Sequence, residues 1–207
     1  MKTFPIRRAH LVAPVEPENE WLIEELWGAE AVGTVGGEPK TLKSFMSLTM
    51  AVAVASGRPC LGRFHVKRSG PVLIYAAEDA LPAVRKRLDG IAAGQGQALA
   101  DLPLWLIDSP TVRIDIADDR EALANAVATV RPALLILDPF VRLHRINENE
   151  SAYVVPLLAF LRELQRRFQC AVMLVHHARK GAGSLRGGQA LRGSSEIHAW
   201  ADASLFL

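Results

Sequence analysis

In the run Gly37-Glu38-Pro39-Lys40-Thr41-Leu42-Lys43-Ser44, a glycine opens and a Lys-Ser pair closes a segment with the spacing of the pattern G-x-x-x-x-G-K-[ST]. The chemistry served by that spacing is polyphosphate binding. Backbone N–H groups turn inward around the phosphates, the lysine reaches the β and γ oxygens, and the hydroxyl holds Mg²⁺. Leu42 stands where the second glycine is expected. It keeps its N–H donor but loses the freedom of glycine at positive φ and in close approach. Residues Gly37 to Ser44, with Phe45 next to them, are therefore the candidate nucleotide-binding set. For the string alone, an ordinary βα turn rich in Gly and Pro stands as the alternative.

Other chemistry-bearing residues fall at the ends of apolar runs. Asp138 ends Leu134-Leu135-Ile136-Leu137, which places a carboxylate at the mouth of a buried strand, where it could orient Mg²⁺ beside the Ser44 hydroxyl. A strand-end Asp beginning a turn with Pro139 is the simpler alternative. Glu78 ends the run from Val72 and could polarise an attacking water, while Asp79 beside it suits a helix N-cap. His176 and His177 end the run from Ala171, where one of them could donate a hydrogen bond to a γ-phosphate. The segment Arg179 to Arg192 (RKGAGSLRGGQALR) is basic, glycine-rich and without an acid. It suits gripping a nucleic-acid backbone, or one of its arginines could reach a neighbouring subunit's γ-phosphate.

The elements that must position these groups are legible in outline. Apolar strands are expected at Ala31 to Val35, Val72 to Ala76, Leu104 to Ile107, Leu134 to Leu137, Ala171 to Val175 and Ala203 to Leu207. Helical spacing follows Ser44 at Phe45, Leu48, Val52 and Ala55, and follows Asp79 at Leu81, Val84, Leu88 and Ile91, with Pro82 in the first turn. A further helix, opened by Asp118 or Asp119, carries Leu123, Val127 and Val130. Another, opened by Asn149 or Ser151, carries Val154, Leu157, Leu158, Leu161, Leu164 and Phe168. Continuously apolar strands alternating with helices predict an α/β fold with a mostly parallel central sheet and helices on both faces. Ligands then gather at the carboxyl ends of the strands. Trp21 to Leu26 reads equally as a strand or a short helix.

Composition bounds the rest. With 207 residues, 50% of them hydrophobic, the chain fits one α/β domain with a sizeable core. We expect a lead segment, 1–30, packing on a core at 31–207. The chain ends inside an apolar run at Leu207, so the natural polypeptide is expected to continue. No apolar run approaches the ~18 residues of a membrane span, and Met1 to Val12 carries Arg7, Arg8 and His10 in place of a signal-peptide core. A cytoplasmic protein that does not engage the membrane is expected. The net charge of +2, from Lys+Arg 24 against Asp+Glu 22, does not by itself imply nucleic acid. Cys60 and Cys170 lie far apart in apolar surroundings and read as buried free thiols.

In their order, the segments GGEPKTLKS (36 to 44), VLIYAAED (72 to 79), LLILDP (134 to 139), VRLHRINENES (141 to 151), AVMLVHHARKG (171 to 181) and LRGSS (191 to 195) resemble the RecA-like P-loop ATPases. Within them, the likeness is to the RepA-like branch of hexameric helicases. It runs from about Trp21 to the last residue, and Leu42 departs from it. The resemblance implies ATP and Mg²⁺ as cofactors, Lys43 and Ser44 on phosphates and metal, Glu78 as catalytic carboxylate and Asp138 as Walker B acid. It further implies His177 as γ-phosphate sensor and Arg192 as an arginine finger acting in trans. Arg142, Arg179, Lys180 and Arg186 fall in the segments matching the loops that face DNA in such rings. The expected protein is an ATPase coupling hydrolysis at subunit interfaces to single-stranded DNA, in a ring or filament, with a hexamer expected. A nucleotide-dependent DNA-binding switch of low turnover is the alternative that Leu42 keeps open. A small-molecule kinase would want an Arg-rich lid, which the His-His strand end and the long Gly-rich segment after it argue against.

Overall fold

The computed structural model describes residues 3–14, 16, 20–177 and 195–207. In chain order the elements are β1 (Trp21–Ile23), β2 (Trp27–Gly28), β3 (Val32–Gly37), α1 (Lys43–Ser56), β4 (Val72–Ala76), α2 (Leu81–Gly94) and β5 (Leu104–Leu106). They continue with α3 (Ala117–Val130), β6 (Leu134–Asp138), α4 (Ser151–Phe168), β7 (Ala171–His177), α5 (Ser195–Trp200) and β8 (Ala203–Phe206).

Strands that are apolar at every position need cover on both faces, and this sheet has it. It is six-stranded in the order β5-β4-β6-β7-β3-β8, and every neighbouring pair is parallel. Alternate side chains feed opposite cores. Val72, Ile74, Leu134, Ile136, Ala171 and Met173 pack with α1 and α2, whereas Leu73, Tyr75, Leu135, Leu137, Val172 and Leu174 pack with α3 and α4. Cys60 and Cys170 are free and buried, and burial pushes each thiol up to about 11.

The ambiguous run at Trp21 is a small antiparallel hairpin of β1 and β2. Its turn holds Glu25 at φ 61°, a left-handed conformation that a continuing helix does not contain. Leu22, Ile23 and Trp27 are fully buried in the first core. A Cβ on Gly33 would lie 2.9 Å from the Trp27 ring and 2.1 Å from the Ala203 carbonyl oxygen, so only glycine lets β3 pass between them.

Two helix starts differ from expectation. The N-cap position of α2 is Ala80, without a side-chain cap. Asp79 instead turns its carboxylate to Arg87 on α2, because a charged guanidinium is a stronger partner than a neutral backbone donor. Similarly, α3 starts at Ala117 after Ile116, and Asp119 accepts from the Arg113 N–H at 2.6 Å, tying the preceding loop down.

The sheet brings the predicted site together. β4, β6, β7 and β3 are consecutive neighbours, with Ala76 opposite Asp138 and Gly37 opposite His177. Their carboxyl ends therefore present Glu78, Asp138, His177 and the 37–43 loop along one rim. Among the described residues, no helix is long and apolar enough to cross a membrane.

Candidate nucleotide-binding site

The loop leaves β3 at Gly37, which has φ 152°, and a Cβ there would lie 2.4 Å from the Leu207 carbonyl oxygen and 2.8 Å from Thr41 Oγ1. Glycine is required by both conformation and space. At the far end, Leu42 sits directly before α1 at φ 63° and ψ 20°. The position that the pattern reserves for glycine thus does take a glycine conformation, and a leucine bears it. Its side chain is 72% exposed, so no burial offsets the strain. Lys40 is also left-handed, at φ 69°. The first helical bond of α1 runs from the Met46 N–H to Leu42 O at 2.9 Å. The N–H groups of Lys43, Ser44 and Phe45 precede it and are available, with the helix dipole, to an anion.

Lys43 is buried at the base of this loop. Its Nζ donates to Glu38 O at 2.5 Å, and the Thr41 hydroxyl donates to the same carbonyl at 2.8 Å. Burial pulls the Lys43 ammonium below the ordinary lysine range, and the Asp138 carboxylate opposes that. Reaching a phosphate requires Lys43 to exchange one carbonyl oxygen for anionic ones. That exchange is favourable, since hydrogen bonds to a charged acceptor are the stronger.

Asp138 and Ser44 line the same cleft, and the Ser44 side chain favours the charged carboxylate. Burial drives the Asp138 carboxyl up to about 6, the Asp79 and Glu78 carboxylates add to the rise, and the neighbouring Ser44 side chain and Lys43 hold it down. A hydroxyl and a carboxylate, both hard oxygen donors, suit Mg²⁺, which takes one or two protein ligands and completes its shell with phosphates and water. Among the described residues, no group of three or more His, Cys, Asp or Glu could hold a metal. A cation here would rely on Ser44, Asp138 and the phosphates it accompanies.

Around these residues opens a cleft of about 410 Å³, lined by Lys40 to Phe45, Glu78, Asp79, Arg87, Asp138, Val175 and His177. Phe45 and Leu42 are exposed at its edge. Glu78 Oε1 accepts from Arg142 Nε at 2.8 Å. His177 is at the cleft and His176 is buried one residue back, its ring edge-on to Phe140 at 5.8 Å. Period-2 alternation separates the two histidines. Glu38 and Pro39 sit exposed at the tip of the loop. Arg179, Lys180, Arg186 and Arg192 lie outside the described residues.

A family model described as "AAA domain" (AAA_25) matches residues 3–183, most of the chain. The chain belongs to the AAA_25 family. In fold, this AAA domain is similar to a solved structure described as an ATPase domain, with TM-score 0.63 at 13% identity over 86% of this chain and 69% of that one. It is also similar to a DnaB-like replicative helicase described with its interactions with primase, with TM-score 0.64 at 12% identity over 86% of this chain. The AAA domain spans 47% of that helicase's chain. Its architecture is that of a RecA-like P-loop ATPase domain. Sequence reading missed Arg87, which lines the AAA_25 cleft and binds Asp79 through both nitrogens of its fork. The signal was present: an Arg on the α2 face that follows an Asp, at a spacing that only the turn before α2 converts into contact.

Proposed function

We propose that this AAA domain hydrolyses ATP in the cleft at the carboxyl ends of β3, β4, β6 and β7 and couples the cycle to single-stranded DNA. One observation carries the proposal: Lys43 and Ser44, Glu78, and Asp138, from three separate stretches of chain, line the same cleft. Bound ATP with Mg²⁺ supplies the γ-phosphoryl group and the charge that the loop is built to hold. Lys43 gives up Glu38 O to contact phosphate oxygens. The Ser44 hydroxyl and Asp138 carboxylate would hold the cation, Glu78 would take a water's proton on its carboxylate, and His177 would donate towards the γ-phosphate.

Ring or filament assembly, with a hexamer as the expected form, belongs to the same proposal, as do Arg192 acting in trans and DNA contacts from Arg142, Arg179, Lys180 and Arg186. The division into a lead segment 1–30 and an ATPase domain 31–207 belongs to it too. The test is steady-state ATPase with and without single-stranded DNA. Hydrolysis that rises with DNA and disappears in Glu78→Gln supports the motor. Absence of both hydrolysis and nucleotide binding overturns it. The strained Leu42, at φ 63°, favours a second reading, a nucleotide-dependent DNA-binding switch. In that case the wild type binds ATP with little turnover and DNA does not accelerate it.

A further inference from the structure

Arg142 ends a short 3-10 turn, Phe140–Arg142, immediately beyond Asp138 and Pro139. Its Nε lies 2.8 Å from Glu78 Oε1, across 64 positions of sequence. Strand pairing brings the two together: β4 and β6 run in register to Ala76 and Asp138, and the Ala77 N–H extends the pairing to Asp138 O at 2.7 Å. The turn that carries Arg142 is fixed from beneath. Phe140 and Leu143 are fully buried, the rings of His144 and His176 stand edge-on to Phe140 at 4.6 and 5.8 Å, and Leu143 O accepts from the Ile114 N–H at 2.8 Å. The side chains of the pair, by contrast, are open, at 61% exposure for Arg142 and 44% for Glu78.

Arg87, which lines the cleft, behaves differently. Arg87 grips Asp79 with two nitrogens, a geometry that resists exchange. Arg142 holds Glu78 through Nε, on one carboxylate oxygen. A guanidinium so placed occupies an acceptor oxygen with which Glu78 would receive a water's proton, and it keeps the side chain turned to the β6 loop. Exposed ion pairs are weak, and a phosphodiester is a competing anion for the same guanidinium.

We propose that Arg142 is a releasable restraint on Glu78: a single-stranded nucleic-acid backbone that engages the Arg142 guanidinium frees the carboxylate for the water. Arg142 is then a positioning residue, acting on the reaction through Glu78. The inference rests on the role given to Glu78 under Proposed function. It makes nucleic-acid stimulation a property of one hydrogen bond.

The test is kcat and KM for ATP hydrolysis by the full chain, with and without a single-stranded oligothymidylate, for wild type, Arg142→Gln, Arg142→Lys and Glu78→Gln. Because an exposed pair biases its two states by no more than about fivefold, Arg142→Gln should raise kcat without nucleic acid about three- to fivefold. KM for ATP should be unchanged, and the stimulation ratio should shrink by the same factor. Arg142→Lys, which retains the cation, should restore part of the low basal rate. Raising the ionic strength should lift basal kcat in wild type, because salt screens exposed pairs, and leave Arg142→Gln flat. Those salt and Lys arms keep the test decisive if Arg142→Gln is poorly folded. A basal kcat that stays the same or falls in Arg142→Gln, or a salt response equal in both proteins, overturns the restraint while Glu78→Gln remains inactive. If wild type does not hydrolyse ATP, or Glu78→Gln hydrolyses it normally, the assignment of Glu78 fails and the restraint fails with it.

Discussion

Leu42 shows how a side chain can depart from a motif while its backbone obeys it. The residue adopts φ 63° and is 72% exposed, so its strain comes from Cβ against its own backbone. Leu42→Gly should therefore stabilise the domain by about 1 kcal/mol, the left-handed penalty less the extra entropy of a glycine in the unfolded chain. Leu42→Ala, which keeps the Cβ, should not. Urea unfolding midpoints of the three proteins check this, and equal midpoints for the Gly and Ala variants would contradict it. At Asp138 the relevant quantity is charge. Its carboxyl is pushed up to about 6 by burial first and by the neighbouring carboxylates next. An acid with a raised pKa is protonated below that value, and cation binding needs the anion. We therefore expect kcat/KM for Mg²⁺-dependent ATP hydrolysis to fall as pH drops through about 6. Asp138→Asn should be inactive across the range. A rate that does not change between about pH 5 and about pH 7, the window that brackets this titration, would argue that Asp138 does not meet the metal.

At the scale of elements, the strands that end in chemistry are legible in the sequence and their lengths are not. Ala171 to Val175 is apolar, but β7 continues through His176 and His177 because β3 runs alongside to Gly36 and Gly37. A polar residue extends a strand when a neighbour supplies the ladder. The β1–β2 hairpin is ambiguous for a related reason: Trp21 to Leu26 is too short for periodicity to act on, and Trp27 settles it by burying itself and donating from Nε1 to Ala31 O at 3.2 Å. Trp27→Ala should cost about 3–5 kcal/mol through the cavity left in the first core, measurable by chemical denaturation. On the other face, Asp115 joins two loops, accepting from Arg113 Nε at 2.7 Å and from the Arg145 N–H at 3.3 Å. The Arg113 hydrogen bond leads in pulling its carboxyl from the ordinary 3.8 to about 2. A depressed acid pKa contributes stability above the unfolded value that is lost as pH falls through the folded one. Asp115→Asn should thus be less stable than wild type at about pH 7, and the gap should close between about 4 and about 2. A gap constant over that window would show that the ion pair contributes nothing.

For the whole molecule, the proposed assembly is what solution measurement tests, because the arginine finger proposed at Arg192 would act in trans and would require a neighbour. Specific ATPase activity should then rise with protein concentration in step with the assembled fraction measured by analytical ultracentrifugation. Activity constant from the monomeric to the assembled range would place every catalytic group within one chain. The sequence by itself determined the sheet's character and the chemistry of its rim, since continuously apolar runs need two covered faces and each candidate acid or histidine closely follows such a run. Only the tertiary structure decided the pairings across that rim: Asp79 with Arg87 and Glu78 with Arg142. Such contacts depend on strand order and register, which bring β4, β6, β7 and β3 side by side from distant stretches of chain. Local spacing holds no information about that order, because it follows from how the helices close over both faces of the sheet.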